Sequence, residues 1–327
     1  MKKTSRNFGG AACVALSLVC GAGFAAAPEY PVKPVRLIVP FAPGGGTDLT
    51  GRAIAQKLSE TLGKTVVVDN RGGAGGVIGA DIVAKAAPDG YTLLLGSPGP
   101  LTINPNLRPK MPYDTLRDFA PVSLATISPF ILVTHPSVGV SSVKELIALA
   151  KAKPNSLNYG SAGIGSVAHL SAEQFKALAD VQITHVPYKG SGPALIDLLS
   201  GRLQLTFENL PVVLLHIRGG KLKALAVGTS KRSALVPDYP TMVEAGVPGY
   251  EASTAFGILA PAKTPRPVVN RLSAEIAKAL QAGDVKEGLV ARGFESVGST
   301  PEEYTAHLQD ELKRVARVVK LAGIKLE

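Results

Sequence analysis

Apolar residues in this chain fall into short runs that alternate with longer stretches of helical spacing. "VRLIVPF" (residues 35–41) is apolar almost throughout, the pattern of a strand buried on both faces. Leu49, Ala53, Ile54, Leu58 and Leu62 then recur at helical spacing over 48–62, and Gly63 supplies a stop. "TVVVD" (65–69) predicts a second strand, a glycine loop leads into a helix near 77–86, and "YTLLLGS" (91–97) predicts a third strand. The pattern then begins again. "FILVTH" (130–135) reads as a strand, and Val143, Leu146, Ile147 and Ala150 mark one helical face. "SLNYGSA" reads as a strand end, followed by a helix over 166–178. "ITHVPY", a helix from Pro193, "LQLTFE", a helix from Pro211 and "LKALAVG" continue the series. "TAFGILAP", a helix over 267–282 and an amphipathic helix from Pro301 to about Leu321 close it. Such alternation predicts largely parallel sheets with right-handed crossovers.

Two segments fit the alternation less well. Residues 119–129 carry little helical pattern, and neither they nor 251–261 have the Gly/Ser-rich or charged composition of a loose linker. Both read as strand-like crossings between two lobes. The expected organisation is therefore an α/β chain with a first lobe of 28–127 plus 254–327 and a second of 128–253.

The amino terminus changes the picture of where the chain works. Lys2, Lys3 and Arg6 precede an apolar run from Ala11 through Val19 and small residues to Ala27. This is the pattern of a secretory signal peptide over 1–25, cleaved after Ala25, and the apolar run is too short for a comfortable bilayer span. Both cysteines, Cys13 and Cys20, lie inside it, so the exported chain is expected to hold no disulfide, thiolate metal site or thiol nucleophile. Taking the three leader cations from the formal +10 leaves +7, spread without a Lys/Arg block, and Trp is absent. That argues against nucleic acid and suits small anions.

Two loops carry the candidate chemistry. In "VPFAPGGGTD" (39–48) a strand breaks into glycines and restarts as a helix, with Thr47 or Asp48 as the expected N-cap. Glycines there permit close backbone approach, and free helix N–H groups with the positive dipole end form an anion site. "NYGSAGIGSVAHL" (158–170) repeats the arrangement, with Gly160, Gly163 and Gly165 around Ser161 and Ser166 as cap. Open α/β sheets bind ligands beyond the carboxyl ends of their strands, so the two loops are expected to face each other across a cleft.

Other readings fit less well. Gly163-x-Gly165-x-x-Ala168 matches a dinucleotide fingerprint, but the next strand brings Tyr188 and Lys189 where a ribose-binding acid belongs. No Walker lysine follows either loop, and neither Ser97 nor Ser161 sits in a G-x-S-x-G elbow. The five histidines form no metal motif; His169 reads as a partly buried helix residue, ahead of the alternative that it approaches a ligand. Glu208-Asn209, at the end of "LQLTFE", reads either as a strand-end cap or as a partner for a ligand amine or hydroxyl. No catalytic residue, cofactor or metal is expected.

With these segments, "VDNRGGAGGVIGA", "PDGYTLLLGSPG", "VPYKGSGPALIDLLSGRLQLTFENLP" and "LKALAVGTSKRSALVPDYPTMVEAGVPGYEASTAFGILAPAKTP" together, the whole chain after the leader resembles the Bug-type receptors of tripartite tricarboxylate transporters. The resemblance implies a two-lobed, type II-like periplasmic-binding-protein fold with a two-strand hinge, closing as a monomer on a small carboxylate. It implies a periplasmic location and membrane permease subunits as partners. It assigns ligand contacts to Phe41, Pro43, Gly44, Gly45, Gly46, Thr47 and Asp48 from one lobe and to Ser161, Ala162, Gly163, Gly165 and Ser166 from the other. Ser97, Tyr188, Lys189, Glu208 and Asn209 are the implied walls. "TAFG" stands where relatives often carry an aromatic pair, and Glu208 where many have Asp; both reshape the expected pocket. The same scaffold leaves open an exported enzyme, or a ligand sensor for a membrane signalling protein.

Overall fold

The apolar run of the first strand forms β1 (Val35–Val39), which Pro40 ends, and the helix α1 (Gly46–Leu62) stops where Gly63 takes a left-handed φ of 63°. The computed structural model describes residues 1, 2, 4 and 30–324. Residues 31–324 belong to one compact unit. The expected signal peptide lies outside the described residues but for 1, 2 and 4.

Next come β2 (Val66–Asn70), α2 (Val77–Ala84), β3 (Thr92–Gly96), a π-helical turn at Gly99–Ile103 and α3 (Asn104–Leu107). The long strand β4 (Phe119–Thr134) precedes α4 (Val143–Ala152), β5 (Asn158–Ser161), α5 (Val167–Ala179) and β6 (Thr184–Pro187). Then follow α6 (Ser191–Leu199), β7 (Leu205–Asn209), α7 (Leu210–Arg218), β8 (Lys223–Val227) and β9 (Ser253–Pro261). The chain ends with α8 (Arg266–Gln281), α9 (Gly283–Ala291), β10 (Glu295–Ser296) and α10 (Pro301–Ala322), the last opened by a Thr300–Glu303 capping box. The pair α9 and β10 has no counterpart in the sequence reading.

Among the described residues the strands run in the order β2-β1-β3-β9-β4-β7-β5-β6, with β8 and β10 also paired to β4. The outer groups β2-β1-β3 and β7-β5-β6 are parallel. The centre is antiparallel, through β3–β9, β9–β4 and β4–β7. β4 belongs to both sides: its residues 119–129 pair with β9, and 130–134 pair with β7 and β8. The sequence had split it into a crossing and a separate strand. Pro121 and Pro129 produce that appearance, because proline cannot donate to a ladder. The sheet accommodates the first with register shifts at Pro121/Ser123 and Leu124/Thr126.

Separate apolar clusters cover the two sides. Ile38, Leu94, Leu259 and Tyr304 pack on one; Leu132, Tyr159, Phe175 and Phe207 on one face of the other, and Ile131, Val133, Leu198 and Val213 on its opposite face. Leu170 of α5 meets Val315 and Val318 of α10 in a further cluster. In consequence the carboxyl ends of β1, β3, β5 and β7 converge on one region.

Candidate functional site

The first glycine loop owes its shape to a buried carboxylate. Gly44 takes φ +88° and donates its N–H to Asp48 Oδ2 at 3.0 Å. Arg52 Nε and Asn70 Nδ2 reach the same carboxylate, each at about 3.0 Å, and Asn70 also donates to the Phe41 carbonyl. Burial pushes the Asp48 carboxyl up, but its bonds from Arg52, Gly44 and Asn70 outweigh this and leave it below its ordinary value. Asp48 is thus the clamp of the loop. The expected cap at Thr47 or Asp48 is corrected: the N-cap is Gly45, which has no side chain to satisfy the first helical N–H groups. The first intrahelical bond runs from Leu49 N–H to the Gly45 carbonyl, so the N–H groups of Gly46, Thr47 and Asp48 precede the ladder. Asp48 is the third helical residue, from which an acid reaches back over the loop.

The second loop is held by neutral groups. Ser161 Oγ lies 2.6 Å from His185 Nε2 and accepts the Gly163 N–H at 3.1 Å. Gly163 and Gly165 take φ of +117° and +78°, and a Cβ on Gly163 would stand 2.8 Å from the Tyr188 carbonyl. Ser166 caps α5 as expected, accepting the His169 N–H at 3.3 Å. His169 is more buried than the sequence suggested, at 7% exposure, with Nδ1 accepting the Gly165 N–H. Its ring lies 4.6 Å from that of His185 at a tilt of 31°, and His185 stacks on Tyr159. Burial pushes both histidines down, His185 to about 4.

Contacts tie the two loops' surroundings together. Ala42 donates its N–H to the Lys189 carbonyl at 3.3 Å. Asn104, fully buried, donates from Nδ2 to the carbonyls of Gly165 (3.0 Å), Gly99 (2.9 Å) and Gly75 (3.3 Å).

Between the loops lies a pocket enclosing about 380 Å³, part of it open to solvent. Of the residues assigned from sequence it is lined by Phe41, Gly45, Gly46, Thr47, Ser97, Ala162, Ser166, Glu208 and Asn209. Pro43, Gly44, Asp48, Ser161, Gly163, Gly165, Tyr188 and Lys189 do not line it. Asp48, Ser161, Gly163 and Gly165 shape the loops behind it, as above. The Tyr188 hydroxyl donates to Asp197 at 2.6 Å, and the Lys189 side chain is exposed while its carbonyl holds Ala42.

Phe130, Val167, Ala168 and Ser191, which sequence reasoning missed, also line the pocket, and so do Thr254 and Phe256 of "TAFG", the segment that the resemblance had put at the pocket without assigning contacts. Ser191 had a signal: "YKGSGP" is a third strand–glycine–helix junction, with Gly190 as N-cap of α6. Phe130 comes from β4, and Thr254 and Phe256 from β9; the sheet topology brings all three here. A fourth helix, α7, starts at Asn209 directly after β7. The amino ends of α1, α5, α6 and α7 therefore meet at one pocket, each bringing the positive end of its dipole there.

Among the described residues Glu208 is the one ionisable side chain in the lining. It is buried, and its Oε1 accepts Asn209 N–H at 2.8 Å and Asn209 Nδ2 at 3.3 Å, with a further bond from the Ser191 hydroxyl. Burial pushes its carboxyl up to about 6 against the effect of those donors. Ser97 Oγ, Thr254 Oγ1 and Asn209 Oδ1 are buried in the same lining without a hydrogen-bond partner. Among the described residues no group of three or more His, Cys, Asp or Glu is placed to hold a metal ion, and no helix is long and apolar enough to cross a membrane.

Residues 50–324 match the family described as Tripartite tricarboxylate transporter family receptor. Protein BugT of Bordetella pertussis is 44% identical over 313 residues, 94% of this chain and 96% of that protein. Among solved structures, R. palustris Rpa4515 with adipate superposes with a TM-score of 0.88 at 42% identity, covering 90% of this chain and 99% of that one. Periplasmic binding protein BugD superposes at 0.87 with 35% identity, covering 91% and 100%. The fold is that of the periplasmic binding proteins, and the chain belongs to the tripartite tricarboxylate transporter receptor family.

Proposed function

We propose that the protein is an exported solute receptor that captures a small carboxylate in this pocket and delivers it, unchanged, to the permease subunits of a tripartite tricarboxylate-type transporter. One observation carries the reading: four helix amino ends meet at a pocket whose lining contains no Lys or Arg, so backbone N–H groups supply its positive potential. The unpartnered hydroxyls of Ser97 and Thr254 add donors. The R. palustris relative carries adipate, a carboxylate.

The reading includes a periplasmic monomer, freed of residues 1–25. Its two lobes, 28–127 with 254–327 and 128–253, close about β4 and β9. Each lobe supplies part of the donor set, and ligand favours the closed form only by the difference in affinity between the two states. Phe41, Gly45, Gly46, Thr47, Ser97, Ala162, Ser166, Glu208 and Asn209 contact the ligand, and the other assigned residues hold the loops.

A thermal-shift screen of the mature protein, stripped of carried-over ligand, tests this. A panel of mono- and dicarboxylates, adipate included, is compared with the matching amides. A bound acid at a hundredfold its Kd adds about 2.7 kcal/mol of stability. Amides that raise the melting temperature as much as the acids would overturn the anion site.

A further inference from the structure

The pocket is not uniformly a donor site. Its floor, where β7 meets α7, carries two acceptors side by side: the Glu208 carboxylate and Asn209 Oδ1. Asn209 spends its Nδ2 on Glu208, which leaves Oδ1 buried and unpartnered; the residue is only 7% exposed. Glu208, 3% exposed, has three donors around it and no cation among the described residues. A buried carboxylate without a counter-charge is costly, and an acceptor without a donor is costly too. Both costs fall on the same few ångströms of wall.

The acceptors adjoin the donors closely. A Cβ placed on Gly46, the first residue of α1, would stand 2.8 Å from Asn209 Nδ2 and 3.0 Å from its Cγ. One placed on Gly45 would stand 3.2 Å from the Cβ of Ser191, whose hydroxyl holds Glu208. The bare N–H end of α1 and the acceptor pair are thus neighbours. A ligand that satisfies both must carry its anionic and its donor group on adjacent atoms.

We propose that the ligand is an α-amino carboxylate, its carboxylate on the amino ends of the helices and its ammonium on Glu208 and Asn209 Oδ1. The proposal rests on the carboxylate-receptor reading above. A second carboxylate at this place would face Glu208 as a like charge in a buried site. A 2-hydroxyl would satisfy Asn209 Oδ1 and leave the Glu208 charge uncompensated. An α-ammonium satisfies both, and the rings of Phe41, Phe130 and Phe256 offer the apolar wall for a side chain.

The titration of Glu208 supplies a second readout. Its neighbours are Ser191 of α6, Asn209 on its own strand and Ile131, its partner on β4, none of them charged. Free Glu208 titrates near 6, and a bound ammonium holds it lower. Affinity for an amino carboxylate is therefore full at neutral pH and falls about tenfold from pH 7 to pH 5 as Glu208 takes up its proton.

The experiment is calorimetric titration of the mature, ligand-stripped protein with three matched series: leucine, glutamate and phenylalanine, each with its 2-hydroxy acid and its unsubstituted acid, and adipate beside them. The expected result is that one amino acid binds at least tenfold more tightly than its two counterparts and than adipate, and loses that advantage at pH 5. Glu208→Gln, which keeps the shape and removes a buried charge, should melt no lower than the parent and bind the amino acid no more tightly than its unsubstituted counterpart. Acids that bind while no amino form is preferred, or a preference that survives Glu208→Gln, would overturn the ammonium site and leave the carboxylate receptor standing. If no acid binds better than its amide, the receptor reading fails as well.

Discussion

The two glycine loops share one pattern in sequence and are supported in opposite ways. The loop before α1 hangs on a charge: the Asp48 carboxylate gathers Gly44, Arg52 and Asn70, and its helix is capped by a glycine. The loop before α5 hangs on uncharged partners: Ser161 with His185, Ser166 over the first turn, and Asn104 on the Gly165 carbonyl. The first has no side-chain cap over the N–H groups that precede its helix ladder, and it places Gly45, Gly46 and Thr47 in the lining. The second fills its own helix start with a hydroxyl and places Ala162, Ser166, Val167 and Ala168 in the lining. A strand–glycine–helix junction thus specifies a place where backbone comes close, while the residues behind it decide what it presents.

The largest expected effect separates the glycines themselves. At Gly46 a Cβ would press on the amide of Asn209 inside the pocket, so Gly46→Val should weaken ligand binding at least a hundredfold. At Gly163 the obstacles are φ +117° and the Tyr188 carbonyl behind the pocket, so Gly163→Val should cost about 2 kcal/mol of stability. Urea unfolding and a binding titration on both variants check the pair. A Gly163→Val protein that unfolds like the parent yet has lost its ligand would put that glycine in the pocket and erase the distinction.

The next effect distinguishes the loops by pH. His169 and His185 are buried neutral, so their folded values lie below the ordinary 6.5. The unfolded chain then binds the extra protons, and stability is full above about pH 6.5 and falls as the pH drops toward 4. Each proton contributes up to about 1.4 kcal/mol per pH unit within that window. Glu173 and Lys176 of α5 and the ring of Tyr159 face the pair and stay unchanged in the test. Glu208 works the other way, because its value is raised from 4.5 to about 6 and it gains stability on protonation in that interval. Stability measured from pH 7 to 4.5 should therefore fall more gently in His185→Phe than in the parent, and more steeply in Glu208→Gln. Equal slopes in all three proteins would mean that the second loop is not held by neutral histidine.

What the chain reveals of all this in one dimension follows physical lines. Strand runs and helical spacing are local, so the alternation and both glycine loops were legible. Asp48 was read as a cap because an acid at a helix start usually is one; its reach back to Gly44 depends on where the helix begins, and that is set two residues earlier, at Gly46. Phe130 carries no local signal, and Thr254 and Phe256 were marked only by the family resemblance at "TAFG", because all three enter the pocket from the long strands that run beside each other through the sheet centre. His185 follows a strand pattern with nothing to mark its bond to Ser161, a partner 24 residues away. Glu208 was visible as polar at a strand end, but its burial, and hence the cost that gives it meaning, comes from the packing of α6 and α7 around it.

The smallest effect tests the caps. Ser166 Oγ accepts the His169 N–H at 3.3 Å, and its removal leaves that donor unmet at the start of a 13-residue helix. Ser166→Ala should therefore cost about 1 kcal/mol, the usual loss for such a cap. Gly45 has no equivalent to lose, but a cap can be added: Gly45→Ser offers a hydroxyl to the first turn of α1. Its Cβ would stand 3.2 Å from that of Ser191, and its side chain would enter the pocket. The gain in helix stability should then be a few tenths of a kcal/mol, set against weaker binding. Ser166→Ala is read by urea unfolding and Gly45→Ser by the binding titration. If Gly45→Ser stabilises the protein and leaves affinity untouched, the bare helix end of the first loop is a feature of the turn alone, and the division of labour between the loops has to be drawn elsewhere.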